Sequence, residues 1–121
     1  MENRWNILMV GAGTMGGGIA EVFASKGIPI TLYDAFPEQL PKAKKLIETD
    51  MQYYQEEGLV TPEEIENTRS LVFYEEDLEK IVPKVNLVIE GVFEKADIKR
   101  DIFNKLDQLC PPDYIFCSNT S

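Results

Sequence analysis

Gly11, Gly13 and Gly16 stand in the spacing GxGxxG within the run ILMVGAGTMGGGIA, residues 7–20. The chemistry open to such a loop is the holding of a phosphate. A glycine at position 11 lets the chain turn tightly out of a strand. One at 13 has no side chain, so a pyrophosphate can approach the backbone. One at 16 lets the next helix pack closely on that strand. A helix start then offers free N–H groups and a partial positive charge to the anion. Gly-rich turns are common, and the spacing gains meaning only between a strand and a helix.

A second group is Asp34, about twenty residues past the last of these glycines. A carboxylate at the end of the next strand accepts hydrogen bonds from an adenine-ribose hydroxyl and repels the extra phosphate of NADP. Ala35 and Phe36 follow it, with no Arg or Lys. Alone, Asp34 reads equally well as a turn residue. With the glycines it points to NAD.

These residues need elements to position them. The apolar run Ile7–Val10 predicts a buried parallel strand, beginning near Trp5. A helix from Thr14 to Lys26 is expected to turn Ile19, Val22 and Phe23 inward, with Gly27 as its stop. Residues 28–34 predict a second strand ending at Asp34, which completes a βαβ unit. From Pro37 to Glu57, Leu40, Ala43, Ile47, Met51 and Tyr54 recur on one helical face. Lys42, Lys44 and Lys45 crowd its first half, on what reads as a solvated outer face. Thr61-Pro62-Glu63-Glu64 predicts a capping box with proline at the first helical position. Short strands are expected at 70–74, 85–92 and 114–117. One or two helical turns are expected over 77–82, stopped by Pro83, and a helix from Lys95 to Leu109. The alternation implies an α/β Rossmann-type parallel sheet, strand order 3-2-1-4-5, with a helical excursion between strands two and three.

The chain has 121 residues, enough for one domain, and a formal net charge of −9. That balance argues against nucleic acid or an anionic membrane as a partner. Cys110 and Cys117 form neither a CxxC nor a metal-ligand pattern, and read as free thiols of a reducing, cytoplasmic compartment. The N-terminus MENRW has no apolar signal region, and no apolar run reaches the ~20 residues of a membrane span. No metal is expected.

GAGTMGGGIA, the Asp-ended second strand, VIEGVFEKADIKRDIFNKLD and the terminal SNTS together resemble the 3-hydroxyacyl-CoA dehydrogenase family, from about Trp5 to Ser121. The resemblance implies an oxidoreductase that passes hydride from the 3-hydroxyl of an acyl-CoA to NAD, of the short-chain 3-hydroxybutyryl-CoA kind or a near relative, in fatty-acid metabolism. It implies that Gly11, Ala12, Gly13, Thr14, Met15 and Gly16 cradle the pyrophosphate and that Asp34 holds the adenine ribose. Glu94 and Lys99 would line the NAD site, and Ser121 would stand near the nicotinamide and the substrate oxygen. On residue type alone, Glu94 and Lys99 read as solvated helix residues, and Ser121 as a turn residue after a strand.

Two departures stand out. Where the family has a serine and a lysine that touch CoA, this chain has Asp50 and Glu57. The family's general base is a histidine past the serine of SNTS, and this chain contains none. The expectation is therefore an NAD-binding N-terminal portion, residues 1–121, without the helical substrate and dimer domain, inactive alone. Its last strand would present an open edge through which the fragment self-associates, whereas the full-length enzyme would be a homodimer. Two other readings remain: a related dehydrogenase of a non-CoA substrate of the gulonate or carnitine type, and a non-catalytic dinucleotide-binding module.

Overall fold

A computed structural model describes residues 5–91, 104, 108 and 115–118. The centre of the sheet is β1 (Ile7–Val10), with all four side chains buried. A strand covered on both faces reads as an unbroken apolar run, which is the pattern of Ile7 to Val10. It pairs in parallel with β2 (Ile30–Tyr33) on one side and β4 (Leu87–Glu90) on the other. β3 (Val72–Tyr74) lies beyond β2, and β5 (Ile115–Ser118) beyond β4. The order is β3-β2-β1-β4-β5, all parallel, as the alternation of elements predicts.

The helices of the first half are α1 (Thr14–Ser25), α2 (Gln39–Glu56) and α3 (Pro62–Leu71). Gly27 ends the α1 region at φ 88°, a conformation that costs glycine little. On α2 the apolar face is as expected, with Leu40, Ala43, Ile47 and Met51 buried. Burying each of the larger three stabilises the fold by about 1.5–3 kcal/mol. They meet Met9, Ile30 and Leu32 of the sheet and Ile65 of α3 in one core. The capping box forms in full: Thr61 Oγ1 accepts the Glu64 amide at 3.1 Å, and Glu64 Oε1 accepts the Thr61 amide at 2.9 Å. That backbone bond, and then Lys26, hold the Glu64 carboxyl below its ordinary range.

Some expectations need correction. Val22 does not face inward: it is 63% exposed, while Ala20 and Ala24 are buried. The expected inward residues Ile19 and Phe23 do pack against the core. The first four strands are shorter than expected, and α3 runs to Leu71 and passes straight into β3, so Ser70 is helical. The short helix α4 (Leu78–Ile81) ends before Pro83, as expected, but Pro83 itself sits inside a 3₁₀ turn, Val82–Lys84, that follows directly. Of the helix expected over 95–109, Asn104 and Gln108 are described and helical. The last strand lies one residue later than expected on its C-terminal side and includes Ser118.

Candidate functional site

The carboxyl ends of β1, β2 and β4 come together at one edge of the sheet, where Val10 is in register with Tyr33 and Glu90. The strand order reverses between β1 and β4, and such a switch point leaves a crevice outside the strand ends. The Gly11 amide donates to the Tyr33 carbonyl at 2.7 Å, and the Gly91 amide to the Val10 carbonyl at 2.9 Å. Gly11 takes φ 108°, a value L side chains rarely adopt. The exits of three strands are thus joined by backbone bonds before any side chain contributes.

Asp34, half-buried just past β2, faces this loop. Its Oδ2 accepts the Ala12 amide and its Oδ1 the Phe36 amide, each at 2.9 Å. The carboxylate therefore clamps the first turn of the Gly-rich loop to the end of β2. Burial, and then the Asp34 charge, raise the neighbouring Tyr33 phenol above its ordinary value.

Gly13 is the N-cap of α1 and supplies no side-chain cap. The unpaired N–H groups of a helix start are therefore left to whatever lies in front. A Cβ on Gly13 would meet nothing within 4 Å, so the space there is open. A Cβ on Gly16 would run into the Gly11 carbonyl. The two glycines thus have separate jobs: one keeps the front of the helix clear, the other lets the helix reach the strand. Thr14 and Met15 form the opening residues of α1. An uncapped helix start, open space before it and a carboxylate beside it together fit a dinucleotide.

Glu94, Lys99 and Ser121, expected near the same cofactor, lie outside the described residues. Asp50 and Glu57 do not form a pair. Glu57 is exposed at the C-cap of α2, and Asp50 turns toward Glu21 of α1. Lys42, Lys44 and Lys45 are exposed, with Lys44 Nζ 6.0 Å from the Tyr74 ring centre.

Two acids escape a reading of the sequence. Glu90 is 1% exposed at the end of β4, in register with Val10 and Ser118, at the switch point itself. Its signal was an acid inside the apolar run VNLVIEGV. Glu21 is buried on α1, and burial and Asp50 push its carboxyl up to about 8. Nothing in its sequence neighbourhood marks it.

A cavity of about 580 Å³ lies elsewhere, against the beginnings of β1, β2 and β4 and lined by Asn6, Pro29, Phe73, Ile81 and Val85 among others. It does not include the Gly-rich loop. Among the described residues no group of three or more His, Cys, Asp or Glu could hold a metal ion, and no helix is long and apolar enough to cross a membrane.

Residues 6–121 match the family model described as 3-hydroxyacyl-CoA dehydrogenase, NAD binding domain. The chain is 35% identical over its whole length to 3-hydroxyadipyl-CoA dehydrogenase of Escherichia coli, covering 25% of that protein. It is 33% identical to a probable 3-hydroxybutyryl-CoA dehydrogenase of Bacillus subtilis, over 95% of this chain and 40% of that one. Among solved structures, 3-hydroxybutyryl-CoA dehydrogenase of E. coli superposes with TM-score 0.89 at 34% identity, over 99% of this chain and 25% of that one. A diketoreductase superposes with TM-score 0.86 at 35% identity, over 100% and 43%. The chain thus spans about a quarter to two-fifths of the relatives it matches. A Rossmann sheet whose Gly-rich loop is pinned by a strand-end aspartate, matched along nearly its whole length, belongs to the NAD-binding domain family of the 3-hydroxyacyl-CoA dehydrogenases.

Proposed function

We propose that these residues are the NAD-binding portion of an oxidoreductase that interconverts (S)-3-hydroxyacyl-CoA and 3-oxoacyl-CoA in fatty-acid or butanoate metabolism. The observation that carries the reading is the uncapped, open start of α1 at Gly13, set beside the anchored Asp34. In this reading the backbone from Gly11 to Gly16, including Ala12, Thr14 and Met15, holds the pyrophosphate. Asp34 accepts from the adenine-ribose hydroxyls and rejects a 2′-phosphate by charge. Glu94 and Lys99 line the remainder of the cofactor site, and Ser121 orients the substrate oxygen. When bound, NAD supplies the hydride acceptor. The partners proposed are an acyl-CoA substrate and, for the whole enzyme, a second copy of itself.

Removing the hydroxyl proton needs a positioned base. The 121 residues include no histidine, so in this reading they bind NAD and do not turn over substrate. Calorimetric titration with NAD, beside an assay with acetoacetyl-CoA and NADH, tests both halves. Binding without turnover is expected. Absence of NAD binding, or turnover that survives re-purification, overturns the reading.

One observation favours a second reading, a related enzyme whose hydroxy or dicarbonyl substrate carries no CoA. Glu57, exposed at the C-cap of α2, places an acid where the resemblance implies a CoA contact, and the diketoreductase likeness runs in the same direction.

A further inference from the structure

α1 and α2 pack side by side on one face of the sheet. A Cβ on Gly17 would lie 3.9 Å from Cγ1 of Ile47, which marks the register of the two helices. One turn further along each helix, Glu21 meets Asp50, and Tyr54 follows one turn later. Glu21 is 7% exposed, and its Oε1 is buried with no donor. An ionised carboxylate in that seam would leave Oε1 buried without a donor, a cost the protonated acid avoids. Burial, and then the neighbouring Asp50, both favour the neutral form of Glu21.

We propose that Glu21, buried in the seam beside Asp50, keeps its proton at neutral pH and forms a proton-dependent latch between α1, the helix that carries the Gly-rich loop, and α2. Loss of the proton leaves two like charges in the seam and opens it.

Among the described residues, the surroundings supply no other neutralising group. From α2, Tyr54 faces the pair, and the Glu21 charge, then burial, raise its phenol further from ionisation. From β3, Tyr74 faces it, pushed up to about 12 by burial and then by Glu48 and Glu21. Both are neutral wherever the latch titrates. The nearby cations are engaged elsewhere: Lys26 with Glu64 of α3 at 3.4 Å, Arg69 of α3 with Glu48 at 3.3 Å, and Lys44 over the Tyr74 ring. Thr31 of β2 and Thr68 of α3 are buried and carry no charge.

The sign of the pH effect follows. The folded chain keeps the Glu21 proton up to about pH 8, while an unfolded Glu gives it up near 4.5. The stabilisation is complete below the lower value and is lost as pH rises toward the higher one. Across that window the unfolding constant rises about tenfold per pH unit through this group.

The test is a ¹³C-carboxyl NMR titration, with urea unfolding from pH 5 to 9, of the chain, Glu21→Gln and Asp50→Asn. Glutamine cannot ionise, so Glu21→Gln is expected to unfold without the tenfold-per-unit rise. In the unsubstituted chain the Glu21 carboxyl is expected to titrate near 8, and in Asp50→Asn at a lower pH. A Glu21 that titrates in the ordinary carboxylate range, or a Glu21→Gln chain whose unfolding tracks the parent at every pH, overturns the latch. If Glu21→Gln does not fold, the titrations of the parent and of Asp50→Asn decide it.

Discussion

The Asp34 carboxylate accepts the Ala12 amide at 2.9 Å across 22 residues of chain, so the acid assigned to the ribose also shapes the loop assigned to the phosphates. A hydrogen bond to a charged group contributes about 1.5–3 kcal/mol. Asp34→Ala is therefore expected to lower stability by about that amount, as well as to weaken NAD binding by about tenfold or more. Urea melts and NAD titrations measure the two effects separately. The unsubstituted chain should bind NADP at least about tenfold more weakly than NAD, because the 2′-phosphate would face this carboxylate. Equal affinity for the two nucleotides would contradict the role given to Asp34.

Gly13 and Gly16 should fail in different ways. Gly13→Val places its side chain in open space, so the fold should survive with about 1 kcal/mol lost at the cap, while NAD binding disappears. Gly16→Ala forces α1 off the Gly11 carbonyl and should cost about 3 kcal/mol of stability, the upper range for overpacking. Circular dichroism melts beside calorimetry distinguish them. A Gly13→Val chain that still binds NAD would reduce the loop to a turn.

Thr61 offers a control remote from the cofactor. Removing its hydroxyl breaks one arm of the capping box and should cost about 1 kcal/mol. NAD affinity should not change. A loss of affinity in Thr61→Ala would mean that α3 is coupled to the site more tightly than its packing suggests.

The three exposed lysines at the start of α2 are the basic residues available to an acyl-CoA on that helix. In the whole enzyme, replacing Lys42, Lys44 and Lys45 together by Ala is expected to raise the KM for acyl-CoA about three- to tenfold, in line with a few exposed ion pairs. The KM for NAD should stay constant. An unchanged KM for acyl-CoA would favour the substrate without CoA.

The sheet was legible in the sequence because its strands are unbroken apolar runs and its turns carry Gly and Asp at positions with one backbone solution. The site was legible for a related reason: Gly11, Gly13, Gly16 and Asp34 are local features whose meaning comes from spacing. What escaped was tertiary. Val22 looked like a core residue because it is large and apolar, yet it faces outward, and the fully buried apolar residues of α1 are Ala20 and Ala24. Glu21 drew no reading from the sequence, because its burial comes from the packing of α2 against α1. Asp50 looked like part of a substrate surface until it turned toward Glu21. Ser70 looked like the start of a strand because α3 reaches β3 with no turn residue between them.

The placement of β1 between β2 and β4 also bears on how the chain is made. Its β2 neighbour follows closely, but Asn6 must wait for Asn86, 80 residues on, before the bond that opens the β4 pairing can form. At synthesis rates of about 5–20 residues per second, one edge of the most apolar strand stays unpaired for roughly 4–16 s. During that interval the ribosome carries a half-sheet whose bare edge is the surface a chaperone, or a neighbouring nascent chain, would capture.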